Sequence, residues 1–234
     1  MKIIAGNWKM NGTRAGLDAM LRDLEKVETN NTVILCVPYT MLCTGNGRVA
    51  IGAQDVSQHT HGAYTGAVSA QMVADAGAKY VIVGHSECRQ YNGDTNDTVR
   101  QKAELVLANG MIPIICVGET MDEKQAGKTM AVIESGVRES IPSDVGTPII
   151  IAYEPRWAIG AGLTPTADEI AQAHTLIADT LTDMGLGGTP VLYGASVKGS
   201  NAAEIMSIPN VDGVLVGGAS LKSDDFIPII TSMK

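Results

Sequence analysis

The feature that most constrains this chain is an alternation repeated from end to end: short apolar runs separated by longer amphipathic or polar stretches. Eight runs read as strands, at residues 2–5, 33–37, 49–53, 80–84, 112–117, 148–153, 190–193 and 213–216. Between them the hydrophobic period changes to that of a helix. Leu17, Leu21, Leu24 and Val27 share one face, as do Val99, Ala103, Val106 and Leu107. Thr166 to Glu169 forms a capping box opening a helix with Ile170, His174, Ile177 and Leu181 on one side. Gly110 and Gly185 stand where helices end. The stretch between the second and third strands has room only for a stub of helix near residues 39–43.

Strict alternation implies right-handed crossovers and a parallel sheet. Eight repeats favour closure into a barrel over an open sheet. At 234 residues with no linker or shift in composition, the chain reads as a single α/β domain over 1–234, a (β/α)₈ barrel with eight parallel strands. Hydrophobic residues make up 45% but aromatic residues only 4%, so the core must be built from aliphatic side chains. That suits a parallel sheet buried on both faces.

The net charge of −8 argues against affinity for nucleic acid or anionic membrane, while leaving room for a locally bound anion. No apolar run has the length of a membrane span, and the first residues lack the pattern of a signal peptide. Cys36, Cys43, Cys88 and Cys116 have no metal-like spacing, and Cys36 and Cys116 sit within strands as small core residues. The expected setting is a reducing cytoplasm.

On a barrel of this kind, chemistry gathers beyond the strand C-termini. Asn7, Lys9 and Asn11 follow strand 1; His85, Ser86 and Glu87 follow strand 4; Glu154 follows strand 6. Ser196 and the pair Gly217-Gly218 follow strands 7 and 8. Taken singly, each has a bland explanation as a surface charge, a structural histidine or a turn glycine; their joint placement on one rim argues otherwise. A carboxylate, an ammonium group and an imidazole suit proton abstraction beside a carbonyl. Backbone N–H groups at Gly217 and Gly218 suit a phosphate. No metal-ligand cluster and no dinucleotide fingerprint is present, so no cofactor is expected.

Five segments in order, Asn7-Trp8-Lys9-Met10-Asn11, Gly84-His85-Ser86-Glu87, Cys116-Val117-Gly118-Glu119-Thr120, Ala152-Tyr153-Glu154-Pro155 with Trp157-Ala158-Ile159-Gly160, and Leu215 to Leu221, closely resemble the triosephosphate isomerase family. The resemblance spans essentially the whole chain and implies a TIM barrel interconverting dihydroxyacetone phosphate and glyceraldehyde 3-phosphate. It implies Glu154 as the base, His85 as a neutral electrophile and Lys9 as the cation, with Asn7 and Asn11 lining the site. It further implies that Ser86 holds Glu154 in the open site, with Glu87 supporting. Residues 155–164 become a lid whose Gly160 N–H joins those of Ser196, Gly217 and Gly218 on phosphate, while Ile159 and Leu215 dry the base. The loop 54–68 becomes an arm inserted into a second copy, with Thr65 near Asn11 of the other subunit.

The chain departs from the family pattern in places. Ala195 replaces a glycine, and the lid carries Arg156, Ala161 and Leu163-Thr164-Pro165. Ala67 and Cys88 replace a Glu and an Arg that pair across the family's dimer interface, which predicts a weakened dimer. Two rival readings remain open from residues alone: a Lys-dependent aldolase or other phosphosugar isomerase, and an inactive barrel that only binds a phosphorylated metabolite.

Overall fold

A computed structural model describes residues 1–43, 45–143, 145–146, 148–159 and 163–233. Eight strands, β1 (Ile3–Asn7), β2 (Thr32–Cys36), β3 (Val49–Ala53), β4 (Tyr80–Val83), β5 (Ile112–Val117), β6 (Ile150–Tyr153), β7 (Val191–Tyr193) and β8 (Gly213–Val216), pair in parallel around a closed barrel. Closure runs through β1 and β8, with Ile3 opposite Gly213 and Gly6 opposite Val216.

The period of two within each strand sorts side chains into two cores. Ile114 and Cys116 of β5 point inward with Ala5, Ile34, Cys36, Ile82, Ala152, Leu192 and Leu215. Ile115 and Val117 of the same strand face outward and join the larger layer beneath the helices. None of the buried residues of the inner cluster is aromatic, though Tyr80 packs against it partly buried; small side chains such as Ala5, Ala152 and the two cysteines suit the narrow interior. Backbone approach sets some identities outright: a Cβ on Gly213 would lie 1.9 Å from the Ile3 carbonyl oxygen.

The helices are α1 (Arg14–Glu25), α2 (Ala70–Asp75), α3 (Asn96–Ala108), α4 (Met121–Gln125), α5 (Thr129–Ser140), α6 (Ala167–Asp183), α7 (Ala202–Ser207) and α8 (Ser223–Ile230). Their starts follow capping chemistry: Thr95, Thr120 and Thr166 each close a capping box. Gly110 and Gly185, at φ of 71° and 75°, end α3 and α6 in a conformation that glycine adopts freely. Between β2 and β3 the described residues form a 3₁₀ turn, Tyr39–Met41. Among the described residues, no helix is long and apolar enough to cross a membrane.

Candidate active site

The ends of β1, β4, β6, β7 and β8 converge on a cavity of about 340 Å³ lined by Asn7, Lys9, His85, Glu154, Ile159, Ser196, Leu215, Gly217 and Gly218, among others. At its base Glu154 is 2% exposed, with the His85 Nε2 3.0 Å from its Oε1. The Ser86 N–H donates to Glu154 Oε2 at 2.8 Å. The Ser86 hydroxyl is buried with no partner among the described residues.

Burial pushes the His85 pKa down and that of Glu154 up, but their contact reverses both, leaving His85 raised and Glu154 lowered. The geometry fixes where the imidazole proton sits. The Glu87 N–H, which can only donate, faces His85 Nδ1 at 3.2 Å, so Nδ1 keeps its lone pair. In that arrangement the ring is neutral, with its proton on Nε2, which faces Glu154 Oε1 at the base of the cavity.

Lys9 reaches the cavity from a strained backbone, with φ at 52°. Two contacts hold it: its N–H donates to Asn7 Oδ1 at 2.9 Å, and the Gln54 amide donates to its carbonyl at 3.0 Å. Its Nζ lies 2.6 Å from Glu87 Oε1. Gln54 was not singled out by sequence; its contact forms only when the end of β3 meets that of β1.

On the opposite wall, Gly194 makes room for the base: a Cβ there would lie 3.0 Å from Glu154 Cγ. Ala195 has no positive φ, so its methyl group is compatible with the turn that glycine usually occupies. A Cβ on Gly218 would meet nothing within 4 Å, and one on Gly217 would stand 3.5 Å from Lys9 Cε. Gly160 lies outside the described residues.

Asn11 is not brought into this cavity. Its amide donates to the Trp8 carbonyl at 2.9 Å, and the residue lines a separate groove of about 1140 Å³. That groove is larger, but neither His85 nor Glu154 borders it. Ala67 and Cys88 both do. Nearby, Lys102 Nζ sits 2.8 Å from both Asp55 and Asp94, so one internal ammonium is shared by two carboxylates and offsets one of their charges. Burial pushes the Cys88 thiol up to about 12, which makes it a poor nucleophile.

Glu119, in a segment that carries the family resemblance, has a role that only the structure shows. It is 1% exposed and accepts from the Trp157 indole N–H at 2.7 Å, while its carbonyl accepts from the Arg156 N–H at 3.0 Å. Burial raises its pKa, and the bonds from Trp157 and Tyr153 oppose that. The segment after β5 thus holds the turn that follows Glu154.

A buried carboxylate, a neutral imidazole and an ammonium group at the mouth of a (β/α)₈ barrel define an enzyme site suited to proton transfer beside a carbonyl. The family model described as triosephosphate isomerase matches residues 2–233. A triosephosphate isomerase of Ruegeria sp. (strain TM1040) is 46% identical over 241 aligned positions, covering 99% of this chain and 98% of that protein. One from Mesorhizobium japonicum is 45% identical, covering 97% and 94%. The crystal structure of triosephosphate isomerase from Bartonella henselae superposes with a TM-score of 0.87 at 36% identity, covering 99% of this chain and 98% of that one. The chain belongs to the triosephosphate isomerase family, and is an isomerase.

Proposed function

We propose that this chain, as one catalytic domain, interconverts dihydroxyacetone phosphate and D-glyceraldehyde 3-phosphate through an enediolate. The observation that carries the reading is the meeting of Glu154, His85 and Lys9 in one cavity. Glu154 takes a proton from the carbon beside the carbonyl and returns it to the neighbouring carbon, while the hydroxyl proton passes from one substrate oxygen to the other. The His85 Nε2–H hydrogen-bonds the oxygen on which negative charge develops, and the Lys9 ammonium stabilises the same charge. Aldose and ketose stand at one oxidation level, so the exchange calls for no electron acceptor. The phosphate rests on backbone N–H groups of Ser196, Gly217 and Gly218, with Gly160 joining them, and Asn7 braces the Lys9 backbone. Ile159 and Leu215 keep water from the base, which makes it stronger.

The working form in this reading is a cytoplasmic homodimer. Its arm spans 54–68, closed at the base by a 2.8 Å bond from the Ser57 N–H to the Val68 carbonyl and stiffened by the stacked rings of His59 and Tyr64. Met10, 96% exposed, and the groove beside Asn11 are the surfaces such an arm would cover. An assay of purified protein with glyceraldehyde 3-phosphate, coupled to detection of dihydroxyacetone phosphate without added metal, tests the reaction. Absence of turnover would leave the inactive-barrel reading, and borohydride trapping of substrate on a lysine would indicate an aldolase.

A further inference from the structure

Lys124, on α4, makes two contacts that the proton-transfer chemistry leaves unexplained. Its Nζ lies 3.4 Å from the centroid of the Trp157 indole ring and 2.7 Å from Glu169 Oε1. Both partners are committed elsewhere. The Trp157 ring N–H is bonded to Glu119, and the other oxygen of Glu169 accepts from the Thr166 N–H at 2.8 Å, closing the cap of α6. One ammonium group therefore joins the turn after Glu154 to the start of the next helix.

The platform beneath it is firm. The Thr120 N–H donates to Glu123 Oε2 at 2.7 Å and the Glu123 N–H to Thr120 Oγ1 at 3.3 Å, a capping box that fixes a helix of five residues. The Lys124 N–H donates to the Thr120 carbonyl at 3.0 Å. The same segment grips the base itself, since the Glu154 N–H donates to the Val117 carbonyl at 2.8 Å. Backbone bonds thus locate Glu154 and Arg156, and side chains locate Trp157 through Glu119 at the ring edge and Lys124 on its face.

We propose that Lys124 is a positioning residue for the catalytic base: clamped between Trp157 and Glu169, it fixes the turn at 155–158 and so the aim of Glu154. An exposed ion pair alone contributes little. Here the pair with Glu169 orients the ammonium over the ring, where a cation is attracted by the negative π face. The proposal rests on the reading of Glu154 as the base.

Three single variants of the full chain, and one double variant, test it. Lys124→Met keeps the stem and removes the charge. Lys124→Arg keeps a cation that also stacks on aromatic rings. Glu169→Gln keeps an acceptor for the α6 cap but deletes the ion pair. Lys124→Met and Glu169→Gln should each lower kcat about two- to fivefold, the scale of one exposed cation–π contact, with KM unchanged. The arginine variant should recover most of the loss. The double variant should be no worse than the poorer single one, because both break one clamp. Wild-type kcat in Lys124→Met, multiplying effects in the double variant, or failure of Arg to rescue would each overturn the positioning role. A purely structural lysine would lower the melting temperature and leave kcat per folded site untouched. Should Lys124→Met fail to fold, the other two single variants still decide. The emission component removed by Trp157→Phe gives a readout independent of turnover. If wild-type protein is inactive, the reading of Glu154 fails; if Lys124→Met leaves that emission unaltered, the clamp fails.

Discussion

Gly118 and the carbonyl oxygen of Glu154 approach so closely that a Cβ on the glycine would lie 1.7 Å from that oxygen. Backbone cannot yield as a flexible side chain can, so even a methyl group must displace the chain that carries the base. Gly118→Ala should lower kcat by about 10²-fold, the scale of a misplacement near 1 Å, and should also lower the melting temperature. A variant with wild-type kcat would show that β6 can shift without moving its carboxylate.

Removing the basicity of residue 154 while keeping its size tests the proton transfer directly. Glu154→Gln should lower kcat by about 10²–10⁴-fold. Lys9→Met should be severely impaired as well, because a thioether cannot stabilise an anion. Near wild-type turnover in the glutamine variant, followed in the coupled assay, would move the base elsewhere.

An enediolate mimic with a phosphate, such as 2-phosphoglycolate, should stabilise the fold through linkage. At a ligand concentration of 100 Kd the gain is about 2.7 kcal/mol, visible as a rise in melting temperature. It should also slow proteolysis within 155–164. Thermal melts with and without the mimic check this, and an unmoved transition at saturation would count against the phosphate cradle.

His174 predicts how stability varies with acidity. It is fully buried, its Nδ1 lies 3.0 Å from the Asn210 carbonyl oxygen, and its Nε2 has no partner among the described residues. Burial holds its pKa at about 4, below the ordinary 6.5. The unfolded chain therefore takes up a proton that the folded chain refuses. The stabilising contribution is complete above pH 6.5 and is lost as pH falls from there to about 4, on the order of 3 kcal/mol in all. Urea denaturation across that window should show the slope of one proton, and His174→Gln should flatten it. An equal slope in the variant would assign the effect to another group.

Association can be read by dilution. With Ala67 and Cys88 lining the groove in place of a charge pair, the dimer should part at higher concentration than in relatives carrying both charges. Sedimentation and specific activity should fall together over one dilution series. Full activity in a demonstrated monomer would defeat the idea that a partner's arm supports the site.

Much of the fold is legible because its signals are local. The strands at 49–53, 112–117 and 213–216 match residue for residue, and Thr166 caps α6 as its box requires. Some edges shift. β1 continues to Asn7, since its ladder with Cys36 persists through a polar residue that periodicity treats as a stop. β6 begins at Ile150 and not at Pro148, although Pro113 is accommodated within β5. In the site, the residues on strand ends were legible, whereas the bonds made by Glu119 and Gln54 and the placement of Asn11 in the other groove were not. Each depends on two distant segments meeting, and neither period nor composition records such a meeting. Gly118 left the fullest trace: a glycine directly after an apolar strand, in a segment already conspicuous for its motif.

The left-handed backbone of Lys9 sets two pressures against each other. A residue with a Cβ at φ of 52° carries a conformational penalty that glycine escapes. Lys9→Gly would thus relax the chain while deleting the ammonium from the cavity. Selection for heat resistance alone should drift toward glycine at this position and return inactive protein, whereas selection for turnover should hold the lysine despite its cost. Position 9 is accordingly a poor target for thermostabilising mutagenesis, and a sensitive marker of whether a library was screened for survival of the fold or for work done by it.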